Sequence, residues 1–170
     1  IACGTGMPDQ RLAQASACFL FELGNGDKFI FDIGSGSMRN IASLMIPYQY
    51  LTKVFLSHLH TDHWGDLDSL WAGGWTAGRP VPLEIWGPSG SREDMGTAYF
   101  VDHFLKAYNW DYMTRAVTIN PMPGEIIVRG DQVLTGYWNR PDATAEALGI
   151  GRRTLNEKIV KLGLDKDDWL

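Results

Sequence analysis

The chain has 170 residues, 45% hydrophobic and 21% charged, a globular composition that excludes a disordered tail, a collagen-like rod and a disulfide-rich miniprotein. Fifteen basic residues against twenty acidic ones leave a formal net charge of −5, the wrong sign for a general nucleic-acid binder. No apolar run reaches the roughly 18 residues of a membrane span.

Ile1–Cys3 reads as the end of a strand and Gly4–Pro8 as a loop. Ala17–Leu23 and Lys28–Asp32 are strands, and Asn25-Gly26 between two apolar runs is a strong hairpin signal. Gly34-Ser35-Gly36 leads into a helix from about Met38 to Met45. Lys53–Ser57 is a short buried strand. His58–His63 follows it, and a helix then presents Leu67, Leu70 and Trp71 on one face. Leu83–Trp86 is a strand stopped by Gly87-Pro88, and a helix from about Arg92 to Tyr108 carries Phe100, Phe104 and Ala107 in register. This alternation defines an α/β fold. The texture changes near Pro121–Gly124. A strand Glu125–Val128 and a polar stretch from Arg129 to Pro141 follow. Two short helices close the chain, about Ala143–Leu148 and Arg152–Leu162. Cys3 and Cys18 read as buried free thiols. A disulfide between them requires neighbouring strands, and no CxxC spacing supports zinc binding by the pair.

Three of the four histidines fall within six residues, as His58-x-His60-x-Asp62-His63, between an apolar strand and a helix. The carboxyl end of a strand is where α/β proteins place function. Alternate spacing lets His58 and His60 point to one side, and Asp62 and His63 towards a second position. Imidazole and carboxylate donors suit Zn²⁺, with Mn²⁺ or Fe as alternatives. Trp64, Trp71 and Trp75 are read as core before substrate wall.

The HxHxDH motif resembles that of the metallo-β-lactamase superfamily at every position. Gly4-Thr5-Gly6, Phe31-Asp32-Ile33-Gly34 and Leu56-Ser57 look like its ribonuclease Z and arylsulfatase branch. Residues 25–36, 52–86 and Gly87-Pro88-Ser89 resemble the metallo-hydrolases of guanitoxin-type biosynthetic clusters. The resemblance covers about residues 1–126. It implies the N-terminal half of an αββα sandwich. His58 and His60 would hold one metal, and Asp62 and His63 a second. Asp62 also enters as the catalytic carboxylate. A bridging hydroxide would attack a small-molecule ester, phosphodiester or sulfate ester. Asp32 would steady the His loop from behind, and Thr5 and Gly6 would shape the mouth of the site. A bacterial cytoplasmic location is favoured, with the periplasm as the alternative if a signal preceded Ile1.

The family needs a further His for the first metal, a bridging Asp and a last His, all from the second half of the sandwich. No histidine follows His103, which reads as a surface residue, and Asp131 is the nearest bridging candidate but in the wrong context. Half a sandwich is therefore expected over residues 1–123, weakly active or inactive, with an exposed sheet face open to self-association. Residues 124–146 resemble a stretch of the acyl-adenylate-forming ligases. Residues 147–170 resemble a Fis-type helix-turn-helix, whose Arg152, Arg153, Lys158 and Lys161 would meet DNA. The competing readings are thus a DNA-binding module and an inert mosaic without metal.

Overall fold

The computed structural model describes residues 1–9, 11–115 and 124–132, without the side chains of 129–132. Asn25 and Asp27 tie the first hairpin turn: the Asp27 N–H donates to Asn25 Oδ1 and the Asn25 amide to Asp27 Oδ2. The turn joins β2 (Cys18–Glu22) to β3 (Lys28–Phe31), antiparallel from Phe19↔Phe31 to Glu22↔Lys28. β1 (Ala2–Gly4) adds antiparallel to β2. From β3 onward the sheet turns parallel, through β4 (Lys53–Phe55), β5 (Leu83–Pro88) and β6 (Ile126–Gln132). The spatial order of the six strands is their sequence order.

Each parallel step needs a crossover. These contain α1 (Ser37–Ser43), the single turn α2 (Thr61–Trp64) with α3 (Leu67–Thr76), and α4 (Thr97–Ala107) with α5 (Asn109–Arg115). Right-handed crossovers that always advance the same way put their helices on one face of the sheet. Burial follows. Cys18, Leu20, Ile30, Val54, Leu83 and Ile85 are buried against Leu67, Leu70, Trp71, Val101 and Phe104 from the helices. The alternate positions point the other way and form a ladder of rings, Phe21–Phe31–Phe55–Trp86, with centroids 5.0, 5.0 and 4.6 Å apart. Phe21 and Phe31 on this face are 52% and 41% exposed.

The sequence reading needs adjusting at one helix and one strand. The long helix expected from Arg92 to Tyr108 is broken: a 3-10 turn spans Glu93–Met95, Gly96 is extended, and α4 begins at Thr97. The Ser89 carbonyl lies 2.2 Å from where a Cβ on Gly96 would stand, so the close approach of these segments makes the break and requires glycine. The strand expected to end at Val128 continues to Gln132. Trp71 and Trp75 are core residues, as expected, 1% and 2% exposed. Trp64 packs on Phe100 at 4.8 Å. Cys3 and Cys18 are buried free thiols, as expected, and burial pushes Cys18 up to about 12.

β6 lies beyond the boundary read at 123/124 and forms part of the compact unit Ile1–Gln132. The Trp71 indole N–H donates to the Gly124 carbonyl at 2.7 Å, anchoring its start to α3. The two short terminal helices read from sequence lie outside the described residues.

The two faces should respond differently to truncation. Leu20→Ala should cost about 2–5 kcal/mol in urea unfolding, the range for buried leucines, and Phe21→Ala under about 1 kcal/mol. Equal losses would mean that the aromatic face is also core.

Candidate metal centre

Asp32 follows directly on β3, with φ of 58°. This left-handed conformation is uncommon outside glycine, although Asp tolerates it. It turns the carboxylate towards β4, whose Phe55 carbonyl accepts the Asp32 N–H at 2.9 Å. Both carboxylate oxygens are engaged. Oδ1 accepts the Ser57 N–H at 2.8 Å and Oδ2 accepts the His63 Nδ1–H at 2.8 Å. The Ser57 hydroxyl lies 3.0 and 2.8 Å from the two oxygens. Two further contacts lock the loop to the end of β3: Ile33 N–H to the His63 carbonyl, and Asp66 N–H to the Ile33 carbonyl. A Cβ on Gly34 would stand 2.1 Å from the Asp62 carbonyl, so this closure also needs glycine.

The bonding assigns the ring nitrogens. A carboxylate only accepts, so His63 carries a proton on Nδ1 towards Asp32, and its Nε2 faces Asp62 Oδ2 at 3.4 Å. Ser57 gives its single hydroxyl proton to Asp32, so its oxygen accepts from His58 Nδ1–H at 3.0 Å. That leaves Nε2 of His58 unprotonated, an acceptor for His60 Nδ1–H at 3.0 Å. Burial, followed by the adjacent His63 and His60, pushes His58 below the ordinary imidazole range, which favours the neutral, ligating form.

The donors fall into two pairs. His58 Nε2 and His60 Nδ1 are 3.0 Å apart, and His63 Nε2 and Asp62 Oδ2 are 3.4 Å apart. Two ligands at the usual distance from a tetrahedral Zn²⁺ lie roughly 3.3–3.4 Å from one another. Each pair thus has about the spacing of two ligands on one cation. Among the described residues, no group of three or more His, Cys, Asp and Glu is placed to hold an ion. In donor chemistry and pairing, the residues suit two half-coordinated metals. The geometry supplies no third protein ligand to either.

The structure brings His58, His60, Asp62, His63 and Asp32 together. Thr5 and Gly6 lie on the segment before β2, bonded to its far side: Gln14 Nε2 donates to Thr5 Oγ1, and the Gly6 N–H to the Ala15 carbonyl. His103 is exposed on α4, donating from Nδ1 to the Tyr99 carbonyl. Asp131 falls in β6, with its side chain outside the described residues. Arg152, Arg153, Lys158 and Lys161 also fall outside them. Sequence reasoning missed Ser57, which joins Asp32 to the ring of His58. Its signals were its place before the first histidine and the resemblance of Leu56-Ser57 to the family, neither of which gave it a role.

The family model described as "Metallo-beta-lactamase superfamily" matches residues 12–142. The chain belongs to that superfamily. A ribonuclease Z of Mycobacterium bovis is 33% identical over 163 residues, 92% of this chain and 55% of that protein. The crystal structure of human tRNase Z, short form, superposes with a TM-score of 0.53 at 22% identity, covering 64% of this chain and 39% of that one. A metallo-beta-lactamase fold protein from Bacillus subtilis gives 0.52 at 18% identity, covering 77% of this chain and 45% of that one. The chain spans between about a fifth and about half the length of the curated relatives it matches. Membership implies use of a divalent metal. No helix among the described residues is long and apolar enough to cross a membrane.

Removing the brace should weaken metal binding without unfolding the sheet. Asp32→Ala should lower Zn²⁺ affinity about 10- to 100-fold, as is typical for groups behind a metal ligand. Competition against a chromophoric chelator, beside a far-UV circular dichroism spectrum, measures this. Unchanged affinity would show that the carboxylate does not orient the ligands.

Proposed function

We propose that this chain carries the ligand loop of a metal-dependent phosphodiester hydrolase acting on RNA. The observation that carries the reading is the pairing of donors on a loop held from behind by Asp32 and Ser57. The ribonuclease Z relatives favour a phosphodiester over the carboxylic-ester and sulfate-ester substrates. Zn²⁺ is the best match to three imidazoles and a carboxylate, with Mn²⁺ and Fe behind it.

His58 and His60 would hold one ion, and Asp62 and His63 the other. The bound metals would supply a water of lowered pKa and polarise the phosphoryl oxygens. The protein's part is orientation. Asp32 and Ser57 engage the Nδ1 atoms of His63 and His58, so that the Nε2 atoms, beside Asp62 and His60, are the ones left to ligate a metal. Asp62, 9% exposed, keeps its carboxylate out of bulk water beside His63. Two ligands per ion hold metal weakly and leave the ion spacing unfixed. The orientation contribution, which can reach about 7–11 kcal/mol in favourable systems, is then largely forfeited. Activity of this chain is proposed to be very slow. No described residue favours the DNA-binding alternative.

The test combines metal content with hydrolysis of bis(p-nitrophenyl) phosphate in added Zn²⁺ or Mn²⁺. The chain should retain less than stoichiometric metal after dialysis against a chelator, and His60→Ala should abolish what remains. Slow turnover should disappear in both His58→Ala and Asp62→Ala. Turnover that survives both substitutions would place the chemistry elsewhere. Two ions retained through chelation would contradict the incomplete coordination.

A further inference from the structure

A cleft of about 200 Å³ opens between the 11–15 loop and the start of α1. Arg11, Gln14, Ser35 and Arg39 line it, and no carboxylate does. These two arginines differ from the other lysines and arginines described up to residue 115. Four of those pair with carboxylates, Lys53 lies over the Phe29 ring, and Arg79 is buried and donates to the carbonyls of Leu70 and Val81. Neither Arg11 nor Arg39 has a carboxylate or ring partner among the described residues. The Asp66 carboxylate does not line the cleft; its Oδ2 accepts the Met38 N–H at 2.8 Å. In a chain of net charge −5, two unpaired guanidinium groups therefore share one concave surface.

The cleft is built from the segments that carry the ligand loop. Ser35 packs against Gly65 at the end of α2: its Oγ lies 2.1 Å from where a Cβ on that glycine would stand. Gln14 is bonded to Thr5, and Ser16 N–H to the Ser35 carbonyl. Ser35 and Gln14 add polar side chains to the lining beside the two charged ones. Guanidinium groups from two different segments on one cleft suit a phosphate, whose oxygens accept from several directions.

We propose that this cleft binds a backbone phosphate of a single-stranded RNA at a position away from the metal ligands. The proposal rests on the phosphodiester reading and deepens it, by naming where this chain grips the polymer without metal. Among the residues described up to 115, the other cations are paired, stacked or buried, so these two arginines are the ones left to meet phosphate.

The experiment uses the full 170-residue chain in EDTA, so that metal plays no part. Fluorescence anisotropy with a labelled short single-stranded RNA is measured across a salt series. The parent chain should bind, and Arg11→Gln with Arg39→Gln should weaken binding about tenfold at about 50 mM salt. The same double variant should lower the slope of log K against log salt by about 1.4, the loss of two contacts to a single strand. Arg92→Gln, at an arginine already paired with Asp94, should change neither. No binding by the parent chain, or equal affinity and slope in the double variant, overturns the proposal. Displacement of the RNA by inorganic phosphate at equimolar concentration would assign the cleft to a free phosphate and overturn the polymer reading. Failure here with metal-dependent hydrolysis intact would sink the cleft alone. The reverse would sink the hydrolase reading alone.

Discussion

The arrangement at the ligand loop depends on one carboxylate. Asp32 is 8% exposed, and both of its oxygens are bonded to β4's continuation or to the loop. A buried carboxylate left without donors costs several kcal/mol, so the donors on Ser57 and His63 are needed for its burial as much as for the rings. The left-handed backbone at Asp32 adds about 1–3 kcal/mol of local strain. That strain is offset by the bonds the turned carboxylate makes. Sequence, backbone and site are joined at this position: a residue that tolerates positive φ and accepts three bonds stands where the strand ends.

The sheet delivers the partners. β3 and β4 run parallel with Phe31 opposite Phe55, so Asp32 and Ser57 leave the sheet at the same end. Parallel strands need crossovers, and crossovers put every helix on one face. The opposite face keeps its aromatic ladder partly in water. Both the ligand loop and the cationic cleft sit at this strand-end region, where β3 gives way through Gly34 and Ser35 to α1.

Much of this was legible in the sequence. The hairpin at Asn25-Gly26 and the strand-helix alternation follow from local chemistry, which acts over a few residues. The ligand loop was legible because its four donors are packed into six positions. Asp32 was legible only through family resemblance, since its bonds reach residues 25 and 31 positions away. Ser57 carried no compositional signal. The break at Gly96 depends on the Ser89 carbonyl, a tertiary contact that helical periodicity cannot register. Arg11 and Arg39 are ordinary surface residues in sequence. Their meaning comes from the fold placing them on one cleft, without the partners that the other cations found.

The most direct test of the central claim is the protonation pattern of the imidazoles. Long-range ¹H–¹⁵N correlation spectra of the metal-free chain report which ring nitrogen carries the proton. Asp32 and Ser57 acting as described predict the Nδ1–H tautomer for both His63 and His58, with Asp32→Ala releasing His63 to a tautomer mixture. An Nε2–H tautomer at His63 in the parent chain would contradict the account, because the carboxylate would then not be holding that ring.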